Sequence, residues 1–508
     1  MKTDSRYISN VHAVLKTFLR HRSNSDWPHH LTLARLVARG LQMGRSTLIQ
    51  TGSDRDRYGL SYLCSVLLCP HPVVLVAPKT VQQHLLNELI PPLQEWTDSS
   101  KEIIVGDRVP DRPDFKGLVI TTPQAWLRDR LGNCNGFPPG IPTLIDPADD
   151  LEEWTGQYLT TSISPGDWQA LMMAAESEIE VIRDARVKLT KTIFNRPSNP
   201  YNCHLIDDAQ RDILEQLFRN LTSALPDSWQ AFRQQSQGEN QLTWVEVARS
   251  RGQFTLHVAP VEVASILKSL WPEQPVVLIG GFLDWETNAP IYRKQLGLGE
   301  ITCLKFSPNR QNEHIQLYLP DRLPLPNTPH FREVAIQQSR LLVSLARKQQ
   351  QAIAILVDDV PLKAQVGAAL AAEWGSMVKV EKTDLAPDGV LISGWSFWRS
   401  HQHEIPSPQL LIIATLPLPS IEHPLVAGRV AYHKRQRQDW FRRYLLPTAL
   451  RELQRAVVPL RQSQGTVALL DNRINNRSYG SKIFTALEPF ARINYIEGVT
   501  MGDNGFGQ

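Results

Sequence analysis

The chain has 508 residues, enough for about three domains of ordinary size. Its 42% hydrophobic and 21% charged content excludes a disulfide-stapled miniprotein, a fibrous repeat and wholesale disorder. The 54 Lys and Arg stand against 51 Asp and Glu, a formal charge of +3, so the overall balance argues neither for nor against nucleic acid. The segment Met1–Asn10 is polar and lacks the apolar stretch of a secretory signal, and no apolar run approaches the ~18 residues of a membrane span. Five scattered cysteines (Cys64, Cys69, Cys134, Cys203, Cys303) contain no Cys-x-x-Cys pair, the pattern of simple thiols in a reducing cytoplasm. The expectation is a cytoplasmic protein that does not span a membrane.

In chain order, Ser46–Gln50, Val73–Ala77, Leu118–Thr121, Thr143–Asp146 and Val276–Ile279 are short β-branched or Leu-rich runs bounded by Pro, Gly or Asp. A second series follows at Ala352–Val357, Val390–Ile392, Leu410–Ile413 and Val467–Leu470. Runs apolar on both faces are the signature of buried parallel strands, and their alternation with helical stretches predicts two doubly wound α/β sheets. Between Thr143–Asp146 and Val276–Ile279 lies a Gln-, Glu-, Arg- and Leu-rich region with helical patterns at Trp168–Lys191 and Asp207–Leu225, broken by Pro197 and Pro200. The predicted organisation is residues 1–150 as most of the first α/β domain, 151–254 as a helical insertion, 255–310 as the completion of the first domain and 311–508 as the second. The Pro-rich stretch Pro320–Pro329 is expected to be a linker or crossing loop.

The strand Ser46–Gln50 runs into Thr51-Gly-Ser-Asp-Arg-Asp-Arg-Tyr58 and then an apolar helix, the position of a phosphate-binding loop in many nucleotide-binding folds. That chemistry needs glycines whose amides cradle phosphates, a Lys on the terminal oxygens and a Ser or Thr on magnesium. Here Gly52 and Ser53 open the loop, but Asp54 and Asp56 replace glycines, Arg57 replaces the Lys and Tyr58 the hydroxyl residue. An ordinary charged strand-to-helix loop fits these residues as well. Asp146 ends an apolar strand where NTPases hold magnesium, yet the next residue is Pro147, which cannot orient water; Asp149 and Asp150 read as helix-capping acids. Arg461, on a helix before Val467–Leu470, is a candidate finger arginine for a γ-phosphate. Ser396–His403, with Phe397, Trp398 and Arg399, could stack bases and touch phosphates, or could be a loop with one buried Trp.

Taken in order, these fragments resemble the DinG/XPD-like branch of superfamily-2 DNA helicases. Trp27-Pro-His-His30 before Gly44–Gln50 is similar to the family's adenine-reading segment, with His30 at the usual Gln. Val73–Leu85 is similar to the strand and helix that touch single-stranded DNA, which places Lys79, Thr80 and Gln83 in that role. Leu118–Trp126, Asp146–Asp149 at the Asp-Glu-Ala-His box, Val276–Leu283 at the Ser-Ala-Thr coupling motif, Gly394–Arg399, Leu411–Pro419 with His423–Val426, Tyr444–Leu450, Leu469–Arg473 and Ser478–Gly480 complete the resemblance over nearly the whole chain. It implies two RecA-like (P-loop NTPase-like) domains, DNA as partner, and ATP with Mg²⁺ as cofactors.

The departures from the family pattern all remove chemistry. Against Gln-x-x-Gly-Arg-x-x-Arg the chain keeps Gln454 and Arg461 but has Val457 and Val458 for the glycine and first finger arginine. The four cysteines of an iron–sulfur cluster are missing before the acidic box, so no such cluster is expected. The expectation is therefore a helicase-fold protein that binds nucleic acid, single-stranded or forked DNA first, with ATP hydrolysis weakened or lost. The alternatives are a divergent working helicase that uses Arg57, Asp146 (on magnesium) and Arg461, and a protein-interaction scaffold with a protein partner and no nucleic acid. Segment Arg429–Arg461 carries nine Lys and Arg against Asp439 and Glu452, a net of +7 that leaves the rest of the chain at −4; this strip is the first place to seek phosphate contacts.

Overall fold

The computed structural model describes residues 2–21, 27–53, 55–132, 134–307, 313–320, 323–347 and 350–494, with the side chains of 2–5 and 55–56 left aside. Asp54 and the carboxylate of Asp56, named above for the phosphate loop, therefore lie outside the described residues. None of the described helices is long and apolar enough to cross a membrane.

The first sheet has seven parallel strands in the order Thr302–Lys305, Thr47–Gln50, Val276–Gly280, Thr143–Ile145, Val73–Val76, Leu118–Thr121, Ile103–Val105. The second has seven in the order Val378–Val380, Val390–Ser393, Ile353–Leu356, Leu410–Ile413, Thr466–Leu469, Ile315–Tyr318, Phe490–Ile493, again all parallel. Central strands such as Val73–Val76 and Leu410–Ile413 are buried on both faces. Separate apolar clusters cover the two sides of each sheet, and each fully buried Val, Leu or Ile in them contributes roughly 1.5–3 kcal/mol. The fold is thus the two-domain α/β architecture expected from the strand pattern.

The insertion is not wholly helical. Helices Pro165–Ala174, Ile179–Phe194, Asp208–Asn220 and Asp227–Ser236 pack with a four-stranded antiparallel sheet, ordered Thr161–Ile163, Gln253–Pro260, Gln241–Ala248, Cys203–Leu205. Capping boxes open two of these helices, at Ser164/Asp167 and Asp207/Gln210, and Trp168 meets Trp229 edge-on at 4.7 Å in the insertion core. The long hairpin pairs Ala248 with Gln253 and Gln241 with Pro260, so it straddles the boundary placed at 254.

The insertion also reaches the second domain. Leu205 and Leu242 press on Gly428 in helix Pro424–Arg435, where a Cβ would sit 2.7 Å from Leu242 Cδ2. Tyr201 and His423 rings approach to 4.5 Å, and the Tyr432 hydroxyl donates to Glu262 at 3.0 Å.

Candidate functional site: the cleft between the sheets

Register fixes where the cleft lies. Gln50 pairs with Gly280, and Leu278 with Ile145, so the loops after these three strands (Thr51–Ser53, Asp146–Asp150 and Gly281–Phe282) emerge side by side at one sheet edge. In a parallel sheet this carboxyl-end edge is where ligands bind.

The loop after Gln50 is closed by its neighbour. Thr51 N donates to Gly280 O at 2.8 Å and Gly52 N to Gly281 O at 3.0 Å, and Gly52 takes a left-handed φ of +62° that suits glycine. Phosphate cradling needs these amides free, and both are spent. Ser53 is buried, with its Oγ unpartnered among the described residues.

Asp146 is fully buried, and its two carboxylate oxygens accept from Tyr58 at 2.7 Å and Tyr62 at 2.8 Å. The two tyrosines stand four residues apart, on one face of helix Arg55–Leu68. The side chain that the resemblance assigns to magnesium is therefore bonded to two phenols. Arg57 is ion-paired with Glu313 of the second domain rather than extended over the loop. His30 is buried with Nδ1 2.8 Å from Ser61 Oγ. Burial first, then Arg57 and His29, lowers its pKa to about 4, which makes it a neutral core residue. No group of three or more His, Cys, Asp or Glu among the described residues could hold a metal ion. These residues do not fit a magnesium triphosphate.

Arg461, the expected finger, is turned into the second domain. It is buried in the second domain and donates to four backbone carbonyls: Glu313 and Pro489 through Nη1 at 3.0 and 3.2 Å, and Leu487 and Glu488 through Nη2 at 2.9 and 3.0 Å. Burial pushes its guanidinium down to about 10. Gln454, seven residues earlier on the preceding helix Leu446–Ala456, is buried with Oε1 unpartnered among the described residues.

Arg455 enters the cleft. Its Nη2 lies 3.0 Å from Asp150 and 3.4 Å from Asp149, both on the first domain, and Nη1 lies 3.6 Å from Glu452. Burial alone would lower its pKa, but Asp150, Asp149 and Glu452 together hold it above the ordinary arginine value. Asp149 does not cap its own helix. Its oxygens accept from Gly281 N and Phe282 N at 2.9 Å each, and any Cβ on Gly280 would lie 2.4 Å from its Oδ2. Two further bridges span the domains: Arg399 to Glu153 at 3.3 Å, with Glu452 at 3.5 Å, and Arg429 to Glu152 at 4.0 Å.

The expected nucleic-acid residues divide. Lys79, Thr80 and Gln83 are all exposed on helix Lys79–His84. Phe397 is half-buried and stacks on His401 at 4.3 Å. Trp398 is a core residue, 2% exposed, so it offers no stacking face, and Arg399 belongs to the cleft.

In comparison with known proteins, residues 390–490 match the family model of the helicase C-terminal domain. The 3'-5' exonuclease DinG of Bacillus subtilis strain 168 is 23% identical over 49% of this chain and 29% of its own length, so this chain spans well under half of that relative. A solved structure of S. tokodaii Xpd4 superposes with a TM-score of 0.59 at 13% identity, covering 92% of this chain and 99% of that one. A structure described as XPD helicase gives the same values; at that identity the likeness is one of fold.

Proposed function

We propose that this chain, which resembles the DinG/XPD-like superfamily-2 helicases in its C-terminal domain and fold, is a nucleic-acid-binding helicase-fold protein in which ATP hydrolysis is weakened or lost. The observation that carries this reading is Arg455 of the second domain seated on Asp149 and Asp150 of the first. In a working motor of this fold, γ-phosphate and magnesium sit between acidic box and finger and draw the domains together. Here the two halves are joined directly, a salt link where the nucleotide would be. Single-stranded or forked DNA is the partner the family resemblance supplies, and Lys79, Thr80 and Gln83 stand exposed to receive it.

The test is ATP turnover with and without single-stranded DNA, in the wild-type chain and in Arg57→Ala and Asp146→Ala, beside DNA-binding anisotropy across salt. The expected result is salt-dependent binding with no DNA-stimulated turnover. DNA-stimulated turnover abolished by either substitution would overturn it in favour of the second reading, a divergent but active helicase using ATP and Mg²⁺. One observation favours that second reading: the buried Ser53 hydroxyl at the cleft wall, unpartnered among the described residues, a group a polar ligand would satisfy.

A further inference from the structure

The nine basic residues of 429–461 do not form one surface. Arg429, Arg455 and Arg461 are committed to internal partners. The exposed ones gather on a single turn between helix Pro424–Arg435 and the helical segment that starts at Phe441: Lys434, Arg435, Arg437 and Arg442. This turn is braced. Arg437 holds a left-handed φ of +54°, its N–H donates to Lys434 O at 3.0 Å, and Gln438 N donates to His433 O at 2.9 Å. Trp440 stands half-exposed within it, Lys434 Nζ lies 5.4 Å from the centre of its ring, and Phe441 anchors the turn on Tyr479 at 5.0 Å.

Basic residues in a last helical turn commonly answer the helix dipole, which accounts for Lys434 and Arg435. It does not account for Arg437 or Arg442, which lie beyond that turn, or for an indole left half-open among them. The acid within the turn, Asp439, is bonded to Arg442 through its backbone N–H at 3.0 Å and Nε at 3.6 Å, with the Arg442 side chain 71% exposed. A lysine ammonium over a partly open indole, with exposed arginines on the same turn, combines phosphate contacts with a stacking face, the pairing that suits unstacked bases on a flexible strand.

We propose that the turn Lys434–Arg442 is a docking surface for the backbone of single-stranded nucleic acid, with Trp440 as its stacking platform. The inference rests on the nucleic-acid-binding reading above and assigns a place that reading does not specify.

The experiment is fluorescence anisotropy of a labelled oligothymidylate titrated across salt, with unlabelled duplex DNA and polyglutamate as competitors. Relative to wild type, the combined Arg435→Gln, Arg437→Gln, Arg442→Gln variant should bind at least tenfold more weakly and lose about 2 from the slope of log affinity against log salt, at ~0.7 per phosphate contact. Trp440→Ala should weaken binding with the slope unchanged, which separates stacking from charge. If wild type binds and the triple variant matches it in affinity and slope, the inference fails while the nucleic-acid reading stands. If wild type binds no oligonucleotide, the reading itself fails. Polyglutamate competing as well as the oligonucleotide would also overturn the inference, in favour of an acidic protein partner. Equal melting temperatures show that the triple variant is folded.

Discussion

Arg455 and Arg437 are eighteen residues apart in sequence and do opposite work. Arg455 is enclosed between domains against Asp149, Asp150 and Glu452; Arg437 stands exposed on a turn. A charge count treats them alike, but the energetics do not. A buried guanidinium has given up its hydration and its partners must repay that, whereas an exposed one is solvated and contributes little to folding. The basic strip is therefore an internal clamp and an external surface joined by one stretch of chain.

The sharpest way to break this contrast is Arg455→Met. It leaves Asp149, with 6% of its side chain exposed, and Asp150, with 29%, facing each other without a cation. Removing one partner from a mostly buried ion pair typically costs ~3–5 kcal/mol; with Asp150 partly solvated, the low end, about 3 kcal/mol, is expected in urea unfolding. Adding Asp150→Asn should recover part of that loss, and the double-mutant cycle measures the coupling.

Next comes the carboxylate that the clamp leaves behind. Tyr58→Phe or Tyr62→Phe strips one hydroxyl from a fully buried Asp146. Hydrogen bonds to charged groups contribute about 1.5–3 kcal/mol, so a loss of about 2 kcal/mol is expected for each, again by urea unfolding. A neutral result for either substitution would mean that its hydroxyl does not stabilise the buried Asp146.

His30 gives a pH signature of the same buried environment. Its pKa is lowered to about 4 in the folded chain, through burial first and then Arg57 and His29, from the ordinary 6.5. Above pH 6.5 both states hold a neutral ring and stability is whole. As pH falls from 6.5 toward about 4, the unfolded chain gains a proton that the folded chain refuses, so stability drops, by about 2 kcal/mol at pH 5. Unfolding at pH 7 and pH 5 should show this loss in wild type, and His30→Gln should flatten it.

The parallel sheets were legible because strands buried on both faces leave continuous apolar runs, as in Val73–Val76 and Leu410–Ile413. The outer strands Ile103–Val105 and Val378–Val380 went unseen, being three residues long and only partly buried. The insertion hairpin was missed although Trp244, Val245 and Val247 are its buried positions beside exposed Glu246 and Ala248; Gln- and Arg-rich flanks masked the alternation. At the cleft, motif register led to Arg461, because spacing from Gln454 says nothing about which way a helix faces. Arg455, one residue after Gln454, turns toward the first domain, and the unusual density of acids in Asp149–Glu153 was the available signal that a cation would meet them. The Tyr58 and Tyr62 spacing could likewise have shown two phenols on one helix face.

The smallest expected effect is the most informative about the outer surface. Replacing Arg435, Arg437 and Arg442 together by Gln removes three charges, yet of these only Arg442 has a described ion pair, with Asp439, and both of its members are more than half exposed. Exposed pairs contribute ~0.2–1 kcal/mol at most, and removing like charges from one turn relieves some repulsion. Urea unfolding of the triple variant should therefore agree with wild type within about 0.5 kcal/mol. A loss approaching that of Arg455→Met would mean that the turn is part of the folding scaffold, its charges spoken for inside the protein and unavailable to a nucleic-acid strand.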